Sequence, residues 1–397
     1  MYQPKETAVS LKQIADALLR RAADAGDVPG VIAMAANRDG TLYEGGFGKR
    51  VLGQGAPMTL DTVVWIASMT KALTTTAALQ LVERGQLDLE SPVRRWVPEI
   101  GDALVLEGFD ATGQPRTRRP QRPITLRHLL THTAGFAYEF WSDAIQQYQK
   151  AKGVPGIMSC KNAALRTPLL FDPGERWGYG INIDWVGQAI EAVSGNRLGQ
   201  HLTDNVLAPL GMSDTAFRIT PSMRDRLARI HQRGDDGKLT AIDLEIPQEP
   251  EFEMGGGGLY GTAGDYLNFV RMILNRGLAG GNRLLKPQTV DMMTRNQIGA
   301  LRVTVLKTAM PSVTNDAEFL PGLEKHFGLG FQINAERAPT GLSPGSLMWA
   351  GLANTFYWID PTQNVGGVYL TQVLPFADTK SAALFLEFQR AVYQSIG

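Results

Sequence analysis

Residues 63–93, VVWIASMTKALTTTAALQLVERGQLDLESPV, decide how this chain is read. Between Thr62 and Val82 the only charged side chain is Lys71, and Gly85 offers a stop just past Arg84, so a buried helix is predicted over this stretch. A membrane span would have the length, but the threonines, a serine, a glutamine and a lysine make the stretch too polar for one. Inside it, Ser68-Met69-Thr70-Lys71 forms a Ser-x-x-Lys motif, and on a helix the i,i+3 spacing puts hydroxyl and amine on one face. A serine hydroxyl is a poor nucleophile near neutral pH and needs a base. A lysine serves only when unprotonated, which uncharged surroundings favour because the ammonium loses hydration. With Ser68 in a first helical turn, its backbone N–H is an unpaired donor that can face an oxyanion. The same four letters also describe a serine cap followed by an ordinary lysine, so their context has to decide.

The bulk composition points to small-molecule chemistry. The chain has 397 residues, 44% of them hydrophobic, enough for a sizeable core. Lys plus Arg and Asp plus Glu both number 39, so there is no basic field for nucleic acid or an anionic membrane, and neither is expected as a partner. Cys160 is the only cysteine, which rules out an intrachain disulfide and a cysteine-rich metal cluster. Residues 1–27 have an amphipathic pattern on Leu11, Ile14, Leu18 and Leu19 without the continuous apolar core of a signal peptide, so a surface-docked helix and a cytoplasmic location are expected.

Strand signals lie at both ends. VIAMAANRDGTLYEGGFG (31–48) reads as two strands around an Asp39-Gly40 turn whose residues tolerate positive φ. SLMWAG (346–351), NTFYWID (354–360) and VGGVYLTQV (365–373) are rich in β-branched and aromatic residues, with a DPTQN turn (360–364) and a closing helix from Asp378. The middle alternates helical patterns with Pro and Gly punctuation. The expectation is an α/β (α+β) fold: a central antiparallel sheet flanked by helices, with a mostly helical insertion. The α/β part would span about 1–86 and 300–397, discontinuous in sequence, and the helical part about 87–299.

These surroundings resemble the serine β-lactamase and penicillin-binding-protein superfamily, and within it the class C enzymes and family VIII carboxylesterases. Residues 63–93 look like its nucleophile helix and following turn. ITLRHLLTHTAGF (124–136), PGERWGYGINIDWVGQAIEAVSG (173–195), VLAPLGMSDTAF (206–217) and GGGGLYGTAGDYLNFVRMIL (255–274) match later landmarks in the family's order. The resemblance makes Ser68 the acylated nucleophile and Tyr179 the tyrosine beside Lys71, held partly as phenolate by the cation and acting as general base and acid with it. β-Lactamases carry Tyr-x-Asn, whereas here Ile181 takes the third place and Asn182 follows, which weakens the case for a β-lactam-binding amide. Where β-lactamases place Lys or His then Thr-Gly, this chain has Trp349-Ala350-Gly351, as in family VIII esterases, with the N–H groups of Ser68 and Leu352 as the implied oxyanion donors. An indole offers no cation for a carboxylate, so a neutral acyl ester fits better. Trp349, Gly351, Tyr138, Trp177, Asn182 and Tyr260 are the expected substrate-binding residues.

Three other motifs lose on physical grounds. Gly341-Leu342-Ser343-Pro344-Gly345 fits Gly-x-Ser-x-Gly, but Pro344 has no N–H to donate to an oxyanion and all five histidines precede it. His128 and His132 stand four apart without the Glu of HExxH, which suits core or capping roles. Gly256-Gly257-Gly258-Leu259-Tyr260-Gly261 matches Gly-x-Gly-x-x-Gly but follows IPQEPEFEM, not a hydrophobic strand, so a tight turn beside the cleft is expected. The sequence therefore predicts a serine carboxylesterase for short to medium acyl esters that needs neither metal nor organic cofactor. A β-lactamase, D-alanyl peptidase, amidase or acyltransferase on the same fold remains open, as does a non-catalytic scaffold.

Overall fold

Alternation along Thr355–Asp360 sets what lies on each face of the central sheet: Phe356 and Trp358 point one way and Tyr357 the other. The computed structural model, which describes residues 10–396, has seven strands in this sheet. They are β1 (Gly30–Ala36), β2 (Thr41–Gly48), β3 (Lys325–Phe327), β4 (Gln332–Asn334), β5 (Leu347–Gly351), β6 (Thr355–Asp360) and β7 (Val365–Leu370). Their spatial order is β3-β4-β5-β6-β7-β1-β2, antiparallel throughout. The hairpin from the start of the chain thus docks on the meander from its end, with Ile32 opposite Leu370.

Helices cover both faces, which is why β1, β5, β6 and β7 are buried along their whole length. On one face lies α5 (Thr379–Ile396), whose Phe385 stacks on Phe356 with ring centres 4.6 Å apart and whose Phe388 makes a T-shaped contact with Trp358. The amphipathic α1 (Leu11–Asp24) packs on α5 and β2, burying Ala15, Leu19 and Ala22 behind a Ser10–Gln13 capping box. The other face receives α4 (Ala263–Leu274), whose Tyr266 ring lies 5.0 Å from that of Tyr357. Trp349 pairs with Tyr357 and so faces the same side, the side of α2 (Thr70–Glu83).

The structure corrects three expectations. The helix predicted from Thr62 begins at Thr70, after a single 3-10 turn at Ala67–Met69. The β-branched and aromatic run before it pairs instead, Val64 with Gly261 and Trp65 with Tyr260. Its end falls where expected, with Gly85 at φ +70°. The β1–β2 turn needs no positive φ: the Asn37 side-chain oxygen accepts the N–H groups of Asp39 and Gly40, each at 2.9 Å. The short strands β3 and β4 add an edge that the sequence pattern did not announce. No helix among the described residues is long and apolar enough to cross a membrane.

Candidate active site

Ser68 sits in the middle of the 3-10 turn, presented by a backbone under strain. Ala67 adopts φ +46°, a left-handed conformation that costs a non-glycine residue roughly 1–3 kcal/mol. The surroundings hold it there. Thr70 Oγ1 donates to the Ala67 carbonyl at 2.6 Å and accepts the Leu259 N–H at 3.1 Å, and the Tyr266 hydroxyl donates to the Met69 carbonyl at 2.9 Å. On the sheet side the end of β5 presses against the turn: a Cβ on Gly351 would lie 2.3 Å from the Ile66 carbonyl oxygen, so only glycine fits.

Lys71, on the first turn of α2, is 2% exposed and surrounded by acceptors. Its Nζ lies 3.1 Å from Ser68 Oγ, 2.9 Å from Tyr138 Oη and 2.5 Å from the Gly256 carbonyl oxygen. It also sits 4.8 Å from the centre of the Tyr179 ring and 5.1 Å from that of Tyr138. Burial pushes this amine well below the usual lysine range, and the Asp184 carboxylate partly opposes the shift. The glycine run beside it is a tight backbone stretch, as expected, pinned where Thr74 Oγ1 donates to the Gly255 carbonyl at 2.8 Å.

Tyr179 reaches the site from the loop before α3 (Asn182–Ser194). Its hydroxyl accepts the indole N–H of Trp349 at 3.1 Å and also faces the Ser68 hydroxyl. The expected phenolate is not what this environment favours. Burial raises the Tyr179 pKa, and the bonds to Ser68 and Trp349 only partly offset it. The phenol therefore stays protonated near neutrality and suits donating a proton better than taking one.

Two narrow hollows, both partly open to solvent, meet at Ser68, Phe140 and Leu352. Trp141, Tyr179, Leu306, Phe319, Trp349 and Phe376 wall the first, with Gly351 at its back. Trp65, Tyr138, Ile157, Met158 and Met254 wall the second, with Gly256 and Gly257. No charged side chain lines either. Of the expected binding residues, Trp349, Gly351 and Tyr138 border these hollows, while Trp177, Asn182 and Tyr260 do not. Trp177 stands behind the wall, its ring nearly parallel to that of Tyr179 and in a T-shaped contact with Trp349. Asn182 is fully buried with its amide nitrogen 2.9 Å from His132 Nδ1, because a residue opening α3 faces the core there. Tyr260 is turned away by its strand pairing with Trp65, and its hydroxyl accepts the Ile246 N–H at 3.0 Å.

Sequence reasoning missed the contact between Tyr138 and Lys71, the buried Asp184, and the aromatic contributions of Phe140, Phe319 and Phe376 from distant loops. Asp184 alone left a trace, as an acid amid the apolar letters of GINIDWVG. The other motifs occupy structural places. Ser343 is buried, its N–H donating to Asp360 Oδ2 and its Oγ accepting from Gln363 Nε2. His128 completes a capping box with Thr125 at the short helix Leu126–Leu130. Among the described residues no cluster of His, Cys, Asp and Glu could hold a metal ion.

Comparison with known proteins places these features in a wider setting. The Beta-lactamase family model matches residues 15–390. Monacolin J acid methylbutanoyltransferase of Aspergillus terreus is 34% identical over 393 residues, covering 94% of each chain. Lovastatin esterase of Penicillium rubens is 31% identical, covering 96% of this chain and 98% of its own. A solved structure of a Simvastatin Synthase mutant from Aspergillus terreus superposes with a TM-score of 0.86 at 32% identity, covering 98% of this chain and 96% of that one.

Proposed function

Because the chain belongs to the Beta-lactamase family, we propose that it is a serine acyl-enzyme catalyst that cleaves carboxylic esters and passes the acyl group to water or to an alcohol. The observation that carries this reading is the 3.1 Å contact between Ser68 Oγ and a buried lysine amine whose ammonium form is disfavoured. Neutral Lys71 takes the hydroxyl proton as Ser68 Oγ bonds to the ester carbonyl carbon. The N–H groups of Ser68 and Leu352 hold the resulting oxyanion. The Tyr179 phenol, its oxygen fixed by Trp349, delivers a proton to the departing alkoxide as the carbon–oxygen bond breaks and is reprotonated from Lys71. Deacylation runs the steps in reverse, with water or an alcohol attacking the Ser68 ester.

Uncharged walls favour a neutral ester over the carboxylate-bearing substrates of β-lactamases and D-alanyl peptidases, as in family VIII carboxylesterases. Two hollows converging on Ser68 suit an acyl group on one side and an alcohol on the other. The acyl-transferring and ester-cleaving relatives support treating hydrolysis and transfer as two outcomes of one intermediate. Hydrolysis of p-nitrophenyl butyrate should far exceed that of nitrocefin, and added alcohols should divert part of the butyryl group into new esters. Efficient nitrocefin turnover with inert esters would overturn the reading.

A further inference from the structure

Among the buried acids, Asp184 lies beside the site and has no task in the serine acyl-enzyme chemistry. Asp184, on the first turn of α3, is fully buried; its Oδ1 accepts the Gly256 N–H at 2.8 Å, and its Oδ2 has no hydrogen-bond partner in the protein. The carbonyl of that same Gly256 accepts from Lys71 Nζ at 2.5 Å. One glycine thus connects a carboxylate to the amine facing Ser68, and its lack of a side chain is what allows the approach, since a Cβ would lie 2.7 Å from Asp184 Oδ2.

We propose that Asp184 is a positioning residue for Lys71: it grips the Gly256 peptide so that the carbonyl is aimed at the amine, and its negative charge helps the amine hold its proton between transfers. The inference rests on the serine acyl-enzyme reading. Burial pushes the Asp184 carboxyl up to about 6, and Lys71, when it carries the proton taken from Ser68, is the charge that opposes this rise. The ionisable groups that face Lys71 are His132, Tyr138, Tyr179 and Asp184, and Glu139 and Cys160 face Asp184; they come from the 131–141 loop, the 157–160 turn, and the loop before α3 with its first turn. Burial keeps His132 unprotonated and Tyr138, Cys160 and Tyr179 protonated at neutral pH. Glu139 is engaged elsewhere, its Oε1 accepting the Ile157 N–H at 2.9 Å. Asp184 is therefore the anion whose field Lys71 feels, and it acts against the burial that depresses the amine.

The test is the rate at which a fluorophosphonate labels Ser68, followed by intact mass from about pH 5 to about pH 10. Asp184→Asn keeps an acceptor for the Gly256 N–H and removes the charge. The acid limb of its labelling profile should move to lower pH by about one unit, because the amine loses its proton more readily. Asp184→Ala removes the grip as well, and should lower the plateau rate about tenfold with the fold intact by circular dichroism. A D184N profile that superimposes on that of the unaltered protein, or a D184A plateau equal to it, would overturn the proposal. Absence of a Ser68 adduct in the unaltered protein would instead sink the serine reading itself, a result distinct from either variant's behaviour.

Discussion

Replacing Gly256 by alanine tests how tightly the site is built. The added Cβ would lie 2.7 Å from Asp184 Oδ2, 2.9 Å from Tyr138 Oη and 3.0 Å from Asp184 Oδ1. Neither neighbour has room to yield, since Asp184 and Tyr138 are both buried and Tyr138 is bonded to Lys71. Overpacking of this kind costs about 1–3 kcal/mol. If the loop gives way instead, the Gly256 carbonyl leaves its place beside Lys71 Nζ. A misplacement of 1 Å near the chemistry can cost on the order of 100-fold, so a shift of a few tenths should cost about tenfold in kcat. Gly264→Ala is the control, because its Cβ meets nothing within 4 Å and lies in α4, where alanine is favoured over glycine by roughly 0.5–1 kcal/mol. Thermal unfolding and p-nitrophenyl butyrate hydrolysis, measured on both variants, should show G256A less stable and slower and G264A unimpaired in both. A G256A protein that melts and turns over like the unaltered one would refute the reasoning.

Other consequences follow from the same geometry. Trp349→Phe keeps the aromatic wall but removes the donor to Tyr179, so kcat should fall about tenfold with KM little changed, and stability should fall by about 1 kcal/mol, as read by steady-state kinetics and denaturant unfolding. In the proposed mechanism Lys71 acts unprotonated, and burial lowers its pKa, so a larger fraction is active at any given pH. The rise of kcat/KM with pH should then be complete well below the ordinary lysine value of 10.5, and a pH–rate profile still climbing there would contradict this. Asn182→Ala should cost about 1–3 kcal/mol by leaving His132 without its partner, yet leave KM for p-nitrophenyl esters unchanged, because Asn182 borders neither hollow.

What the sequence made legible was whatever depends on short spacings or repeated alternation. Ser68 and Lys71 could be paired from an i,i+3 interval, and the strands of β5, β6 and β7 from runs of β-branched and aromatic letters. The start of α2 was not legible, because Val63, Val64 and Trp65 are apolar enough for a buried helix and only pairing, Val63 with Leu227 and Val64 and Trp65 with Tyr260–Gly261, makes them extended. The edge strands β3 and β4 are three residues each, too short to leave a pattern. Asn182 was misplaced as a wall residue because one position along a helix turns a side chain by about 100°, from cleft to core. The ionisation of Tyr179 was misjudged for a different reason. A nearby cation argues for phenolate, burial argues against it, and only the folded environment shows that burial prevails. Tyr138 and Asp184 reach Lys71 across 67 and 113 residues of chain, separations that no local motif encodes.

The central claim is that an acyl group is carried on one serine, and rapid quenching of the reaction with p-nitrophenyl butyrate, followed by peptide mass mapping, tests it most directly. The account predicts a butyryl adduct on the peptide containing Ser68, formed before steady turnover and absent from Ser68→Ala, which should also lose ester hydrolysis. An adduct on another residue, or a Ser68→Ala protein that still hydrolyses the ester at the original rate, would contradict it.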